Sequence, residues 1–220
     1  MKKILIFLIL VFNINALADK LLKVAVIDSG FNFKYSQLAH LCPNEHKDFT
    51  GEGLVDLIQH GTNIVGLIVN NAQSSNYCIV LIKAYSTKIN KRTFITEALE
   101  YAFQIHANII NLSGGGPGEN YREKTIVKKL LDNNITLAFA AGNDHQNLDY
   151  NCDYYPACYD DRIFIIGSES LSSNYGKVVD TIYDGENKTA FGLTLSGTSM
   201  STAIFTGQLL KSIAFIQKVR

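Results

Sequence analysis

The sequence lacks the features that mark nucleic-acid-binding, membrane-spanning and repeat proteins. Lysine and arginine together number 20, as do aspartate and glutamate, so there is no excess of charge. Basic residues form no cluster either, which argues against nucleic acid as a partner. The longest apolar run, residues 4–12, is shorter than the roughly 20 residues that span a bilayer, so no stable membrane anchor is expected. Repeats, low-complexity segments and linkers are also missing, which favours one folded domain.

The first 18 residues have the organisation of a secretory signal. Lys2 and Lys3 form a basic start, the apolar run follows, and residues 16–18 (Ala-Leu-Ala) provide a small-x-small cleavage site. We expect this segment to be removed, so that the mature chain starts at Asp19 and residues 19–220 form the folded domain. Removing two of the 20 basic residues leaves 18 against 20 acidic ones, a net charge of about −2. The predicted destination is the periplasm or the outside of the cell.

Cysteine is scarce, and its spacing is informative. The sequence contains Cys42, Cys78, Cys152 and Cys158. In an oxidising compartment this even number predicts two disulfides, with three possible pairings. The short separation of Cys152 and Cys158 favours a local bridge between them, which leaves Cys42 to pair with Cys78. No pair has the CxxC spacing of a zinc site and no histidine stands at ligand spacing beside them, so the sequence calls for no metal and no cofactor.

Short apolar runs alternate with longer helical patterns along the chain. The predicted strands are residues 22–27, 78–84, 108–112, 135–140 and 163–166. The predicted helices are residues 61–70, 93–105, 122–133 and about 199–217. The strand-like runs are apolar on both faces, as buried parallel strands are. This order predicts an α/β fold with three layers (α/β/α) around a mostly parallel central sheet.

Three residues have the chemistry of a nucleophile, a base and a group that orients the base. Ser199 precedes an amphipathic helix, where a serine can cap the helix or attack a substrate near the positive end of the helix dipole. A serine hydroxyl is weak until a base accepts its proton. His60 alone of the five histidines opens an apolar helix beside a glycine, and imidazole is a suitable base near neutral pH. Asp28 directly follows the first strand and could orient that imidazole, although Asp-Ser-Gly also suits a plain turn.

Taken together, three segments resemble the catalytic motifs of the subtilisin-like serine proteases. They are Val-Ile-Asp-Ser-Gly around Asp28, His-Gly-Thr starting at His60, and Ser-Gly-Thr-Ser-Met around Ser199. They occur in that family's order, aspartate before histidine before serine. The resemblance implies a subtilisin-like fold and a secreted serine endopeptidase that hydrolyses extended peptide or protein substrates. In it Ser199 would be the nucleophile, His60 the base and Asp28 the orienting carboxylate.

Further segments extend this resemblance from about residue 22 to residue 207. Residues 109–116 resemble the strand and loop that line the family's substrate cleft. The implied substrate-binding residues are Ser113, Gly114, Gly115 and Gly116. Residues 140–143 resemble the segment that carries the family's oxyanion-hole asparagine, which implies this role for Asn143. The Tyr-Pro-Ala sequence at residues 155–157 and the strand after it also match.

The sequence departs from the family's pattern at several positions. Few residues separate the predicted cleavage site from the first strand, where the family usually has a prodomain, so the domain either folds unaided or uses a folding helper or inhibitor in trans. Residues 70–76 are short where relatives form a calcium-binding loop, and no calcium site is expected. Ala203 replaces a proline in the serine-bearing helix, which puts hydrolytic efficiency in question. Gly114 replaces a bulky residue and predicts a more open cleft. We expect a monomer.

Three other functions compete with this interpretation. A catalytically weak or inactive binding protein on the same fold would need a broken catalytic set, and all four positions are filled. A nucleotide-binding domain could use the glycine-rich residues 113–118, but no Gly-Lys-Ser/Thr follows them. An esterase with a Gly-x-Ser-x-Gly turn is disfavoured because Ser201 stands where the second glycine is required and the triad order differs.

Overall fold

The structure, a computed structural model, describes residues 21–87 and 93–219. The predicted signal segment at residues 1–18 lies outside the described residues. Within them the strands are β1 (Leu22–Asp28), β2 (Lys47–Asp48), β3 (Tyr77–Lys83), β4 (Ile109–Leu112), β5 (Thr136–Ala140), β6 (Phe164–Ser168), β7 (Thr181–Tyr183), β8 (Lys188–Ala190) and β9 (Leu193–Leu195). The α-helices are α1 (His60–Ala72), α2 (Ile95–Gln104), α3 (Tyr121–Asp132) and α4 (Thr198–Val219). Two short 3₁₀ helices cover Phe33–Leu38 and Ala157–Tyr159.

Seven strands form one sheet in the order β2-β3-β1-β4-β5-β6-β7, and all neighbours are parallel. Strands β8 and β9 pair separately as an antiparallel hairpin. The five predicted strands are β1, β3, β4, β5 and β6, and the four predicted helices are α1 to α4. Their ends lie within two residues of the predicted ones. The strands that were not predicted are only two or three residues long.

Helices cover both faces of the sheet, which confirms the predicted three-layer fold. In β1, Val24 and Val26 belong to a core that includes α1 and α4. The alternate residues Ala25 and Ile27 belong to a second core that includes α2 and α3. Both sets are buried, because a parallel sheet between two helical layers has no face left for water. None of the helices in the described part of the chain has the length and apolar character needed to cross a membrane.

The carboxyl ends of β1 and β4 lie side by side in the middle of the sheet, where Ile27 is opposite Leu112. The helices that follow these two strands in the chain belong to opposite layers, since α1 packs in one core and α3 in the other. Such a switch point leaves a crevice where open α/β sheets bind their ligands. Asp28 ends β1 and Ser113 follows β4, so both lie at this crevice.

Two disulfides are present, and they are the pairs favoured from the sequence. Cys42 bonds Cys78 with a Cα–Cα distance of 4.9 Å, and Cys152 bonds Cys158 with a Cα–Cα distance of 5.5 Å. The first bridge joins β3 to the chain before β2, and the Cys42 N–H also donates to the Ile79 carbonyl at 2.9 Å. The two bridges close loops of very different length, with sequence separations of 36 and 6.

Replacing Cys42 and Cys78 together by alanine is expected to lower the free energy of unfolding by about 4 kcal/mol, because closing a long loop restricts the unfolded chain strongly. The Cys152–Cys158 bridge closes a much shorter loop, so removing it by the same double change is expected to cost about 2 kcal/mol. Urea unfolding of the two double variants measures both losses. Equal losses would contradict the argument from loop length.

Candidate active site

Asp28 and His60 form a hydrogen-bonded pair. The Nδ1–H of His60 donates to Oδ1 of Asp28 at 2.8 Å. The same oxygen accepts the Ser29 N–H at 2.7 Å, so the backbone after β1 fixes the carboxylate. Asp28 is 3 % exposed, and its Oδ2 is buried with no hydrogen-bond partner among the described residues. The pair leaves Nε2 of His60 as the ring nitrogen that can accept a proton.

The surroundings of His60 favour its protonated form. Burial lowers the pKa of this imidazole, but the charge of Asp28, the hydrogen bond to it and the charge of Asp56 outweigh burial and raise the pKa above 6.5. A carboxylate beside an imidazole has this effect because it stabilises the imidazolium more than the neutral ring. The raised pKa means that the imidazole binds a proton more readily than an ordinary histidine does.

Ser199 is the second residue of α4 and lies against the end of β4. Its Oγ donates to the Ser113 carbonyl at 2.9 Å, and Ser113 Oγ donates back to the Ser199 carbonyl at 3.4 Å. A buried chain continues from there, since Asn111 Nδ2 donates to Ser113 Oγ and Thr206 Oγ1 donates to Asn111 Oδ1. These contacts fix the start of α4 to β4. The hydroxyl of Ser199 thus donates to a main-chain carbonyl in this structure. The family resemblance, which makes His60 its base, implies a hydrogen bond to that imidazole instead.

Asn143 follows β5 and contacts the turn that leads into Ser199. Its Oδ1 accepts the Thr198 N–H at 2.9 Å, and a Cβ placed on Gly197 would lie only 3.1 Å from that same oxygen. Because the oxygen of the amide is held, the Nδ2 group is the free end of an exposed side chain. The buried Asn174 supports this loop, because its Nδ2 donates to the Ala141 carbonyl and its N–H to the Gly142 carbonyl, both at 2.9 Å.

The four residues predicted to bind the substrate main chain are not equivalent. Gly116 is already paired with Tyr155, with its N–H and carbonyl bonded at 2.9 and 2.7 Å. Both main-chain groups of Gly116 are therefore occupied, so this residue could pair with a substrate only by giving up its hydrogen bonds to Tyr155. Ser113 offers its carbonyl to Ser199 Oγ, a bond that a substrate N–H could replace. The N–H and carbonyl of Gly115 form no main-chain hydrogen bond with any other residue that the structure describes.

The space above Gly114 is filled, which overturns the expectation of a more open cleft. A Cβ on Gly114 would collide with the phenol oxygen of Tyr85, and Cζ of that ring would be 2.9 Å away. Burial, followed by the charge of Asp28, raises the pKa of Tyr85 well above its usual value, so the phenol stays neutral. Position 114 has no room for a side chain, because the aromatic ring of Tyr85 from another segment occupies that space.

Asp56 is a buried carboxylate that links the segments of Asp28 and His60, and the sequence analysis missed it. Its Oδ1 accepts Ser29 Oγ–H at 2.8 Å, and its Oδ2 accepts the N–H and Oγ1–H of Thr62 at 2.8 and 2.6 Å. Ser29 Oγ in turn accepts the Gly61 N–H at 3.0 Å. The signal in the sequence is an aspartate four residues before His60, near the start of a helix where carboxylates act as caps.

A pocket of about 230 Å³ opens beside the Asp–His pair. It is lined by Asp28, Ser29, Ile58, His60, Tyr85, Ser113 and Gly114. The lining shows that the His60 segment and Ser113, whose carbonyl accepts the Ser199 hydroxyl, border one cleft. Across residues 21–87 and 93–219, no three His, Cys, Asp or Glu side chains come together in a way that could hold a metal ion.

A buried aspartate bonded to a half-buried histidine, with a serine at a helix start in the same crevice, is the side-chain set that serine hydrolases use. Comparison with known proteins places the chain more narrowly. The model of the subtilase family (Peptidase_S8) matches residues 19–218. The chain belongs to the subtilase family.

Individual relatives agree with this assignment. The major intracellular serine protease of Bacillus subtilis (strain 168) is 28% identical in an alignment 218 residues long, and the match covers 86% of this chain and 67% of the relative. Subtilisin of Bacillus pumilus is 30% identical in an alignment 210 residues long, and the match covers 84% of this chain and 74% of the relative. Subtilisin E of Bacillus subtilis (strain 168) is equally similar, but the match covers only 53% of its length. The chain thus spans from about half to about three quarters of these relatives.

The fold also matches solved structures. A cold adapted subtilisin-like serine proteinase superposes with a TM-score of 0.72 over 91% of this chain and 77% of that chain, at 22% identity. A lanthipeptide protease superposes with a TM-score of 0.70 over 84% of this chain and 71% of that chain, at 20% identity. At this level of identity the likeness establishes the α/β fold.

Proposed function

We propose that this chain is an exported serine endopeptidase that uses Asp28, His60 and Ser199 as its catalytic triad. The observation that carries the proposal is the 2.8 Å hydrogen bond between Asp28 and His60 in a cleft that also contains the acceptor of Ser199. Membership of the subtilase family supports it. Export through residues 1–18 is part of the proposal and rests on the sequence alone.

The reaction needs one rearrangement of Ser199. Its Oγ, which donates to the Ser113 carbonyl, would rotate about χ1 to donate to Nε2 of His60. Oγ would then attack the scissile carbonyl while His60 takes its proton, and His60 would return that proton to the leaving amine. Water would release the acyl group by the same steps. A substrate N–H arriving at the Ser113 carbonyl would favour the rotation, because it competes for the acceptor that Ser199 uses.

The oxyanion would form between two donors. One is Nδ2 of Asn143, whose orientation is fixed by the bond from the Thr198 N–H to its Oδ1. The other is the N–H of Ser199 in the first turn of α4, where main-chain donors have no intrahelical acceptor. Donors that are already oriented stabilise developing negative charge without reorganising during the reaction.

A fluorophosphonate probe tests the proposal directly, because it reacts with an activated serine. The folded wild-type protein is expected to be labelled, and labelling is expected to be lost in Ser199→Ala, His60→Ala and Asp28→Ala. Folded wild-type protein that is not labelled would favour a binding protein on the subtilisin fold.

Asn143 provides a second test, with a lowered kcat as the expected result. Asn143→Ala removes the Nδ2 donor and is expected to lower kcat about 10²–10³-fold, the range found for the equivalent change in subtilisin. Asn143→Asp keeps an oxygen for the Thr198 N–H but replaces the donor by a charged acceptor. We expect a loss at least as large in this variant. Near wild-type kcat in Asn143→Asp would show that Asn143 acts only by holding the turn before Ser199.

A further inference from the structure

The ring of Tyr154 occupies the gap between the two main-chain segments that border the candidate oxyanion site. A Cβ on Gly115 would lie 2.9 Å from Cε1 of Tyr154 and 3.2 Å from its Cζ. A Cβ on Gly142 would lie 2.6 Å from Cε2 and 2.9 Å from Cδ2 of the same ring. One edge of the ring therefore faces Gly115 and the opposite edge faces Gly142. The nearest atom to a Cβ would be the Tyr155 carbonyl oxygen at Gly115 and Nδ2 of Asn174 at Gly142, and the ring of Tyr154 comes next at both positions.

This gap lies where the proposed reaction would direct a substrate side chain. Gly142 directly precedes Asn143, and Gly115 is two residues after Ser113, whose carbonyl holds Ser199 Oγ. A scissile carbonyl beside Ser199, with its oxygen toward Asn143, belongs to the residue on the amino side of the cleaved bond. If the substrate lay extended along residues 113–115, the side chain of that residue would point between the two segments, toward Tyr154.

The main chain around Tyr154 is held on both sides. Tyr155, the next residue, exchanges two hydrogen bonds with Gly116, at 2.7 and 2.9 Å. The Tyr154 carbonyl accepts the Cys158 N–H at 3.0 Å, and the Cys152–Cys158 disulfide closes the loop that contains it. The main chain that carries the ring of Tyr154 is therefore held in place beside the gap.

We propose that Tyr154 restricts the substrate residue on the amino side of the cleaved bond to glycine, alanine or serine. The inference rests on the proposed function and names its substrate class. A larger side chain that entered between the Gly115 and Gly142 segments would meet the ring, because the ring lies against both of them. Burial, followed by the charge of Asp144, raises the pKa of Tyr154 to about 12, so the phenol stays neutral and ionisation does not move it from the gap.

Two peptides test the inference if they differ only at that residue, with alanine in one and phenylalanine in the other. The wild-type protein is expected to favour the alanine peptide in kcat/KM by at least about 100-fold, since even small misfits in a pocket cost 10–200-fold. Tyr154→Ala is expected to raise kcat/KM for the phenylalanine peptide about 100-fold and to change the alanine peptide much less. Tyr121→Ala is the matched control, because Tyr121 is 86% exposed on α3, and it should keep the wild-type ratio.

The outcomes separate this inference from the function on which it rests. Efficient wild-type cleavage after phenylalanine overturns the inference and leaves the peptidase proposal intact, and it does so even if Tyr154→Ala fails to fold. A folded Tyr154→Ala protein with the wild-type ratio of the two peptides also overturns it. If the folded wild-type protein cleaves neither peptide and is not labelled by a fluorophosphonate, the peptidase proposal fails and the inference fails with it.

Discussion

Replacing Ser199 by alanine is expected to lower kcat for a peptide substrate about 10⁶-fold, the loss that subtilisin shows when its catalytic serine is removed. Without Oγ no acyl-enzyme can form, and only substrate binding and the oxyanion donors remain. The fold should tolerate the change, because alanine fits within the volume of serine. The lost hydrogen bond from Oγ to the Ser113 carbonyl is expected to cost about 1 kcal/mol of stability.

Ser201 offers a matched control in the same helix. It is buried, and its Oγ donates to the Tyr183 carbonyl at 3.0 Å, so Ser201→Ala removes the same kind of bond as Ser199→Ala. We expect this variant to lose similar stability while keeping kcat near the wild-type value. The measurements are kcat and the urea midpoint for both variants. A wild-type kcat in Ser199→Ala would refute the role of Ser199 as the nucleophile. Equal losses of kcat in the two variants would show that the cause is a damaged helix.

The centre of the fold could be predicted because burial on both faces leaves a local signature. All seven residues of β3 are buried, and six of them are apolar or aromatic, so the strand stands out from its polar surroundings. The edge strands lack this signature. Strand β2 has two polar residues, and β7 has three residues of which none is buried. Such strands exist because a neighbour offers hydrogen bonds, and that neighbour is distant in the chain.

The proposed catalytic residues could be chosen from sequence because each has a local marker. Asp28 ends a buried strand, and His60 and Ser199 stand at helix starts beside glycine or threonine. The order of the three motifs, aspartate before histidine before serine, then suggests that they act together in one site. What the sequence could not give is the conformation of Ser199, because the acceptor that its hydroxyl uses, the Ser113 carbonyl, comes from a segment distant in the chain.

Residues that act through contacts between distant segments escaped prediction. Asp56 carries no special motif until its bonds to Ser29 and Thr62 are known. Gly114 misled the sequence analysis because a missing side chain was interpreted as open space. Tyr85 and Tyr154 come from other segments and fill the space beside Gly114 and Gly115. A small residue in a cleft therefore says little about the size of the cleft until its neighbours are known.

Replacing Asp28 by asparagine is expected to lower kcat about 10⁴-fold, the loss known from the same change in another serine protease triad. The carboxylate accepts Nδ1–H of His60 at 2.8 Å and so leaves Nε2 free to take the serine proton. An asparagine amide can donate to Nδ1 instead, which moves the imidazole proton to Nε2. The ring then cannot accept a proton from Ser199, although the shape of the site is nearly unchanged.

The pH dependence of the residual activity distinguishes this role of Asp28 from a purely structural one. His60 must be neutral to act as a base, so wild-type kcat/KM should fall as the pH drops through the raised pKa, above 6.5. In Asp28→Asn the carboxylate that raises this pKa is gone, burial lowers the pKa, and the acid limb should move to lower pH. Asp56→Asn should move it in the same direction but less, because the charge of Asp56 is the smaller contribution. An acid limb at the wild-type position in Asp28→Asn would mean that another group controls it, since the charge beside the imidazole would then have no effect on its titration.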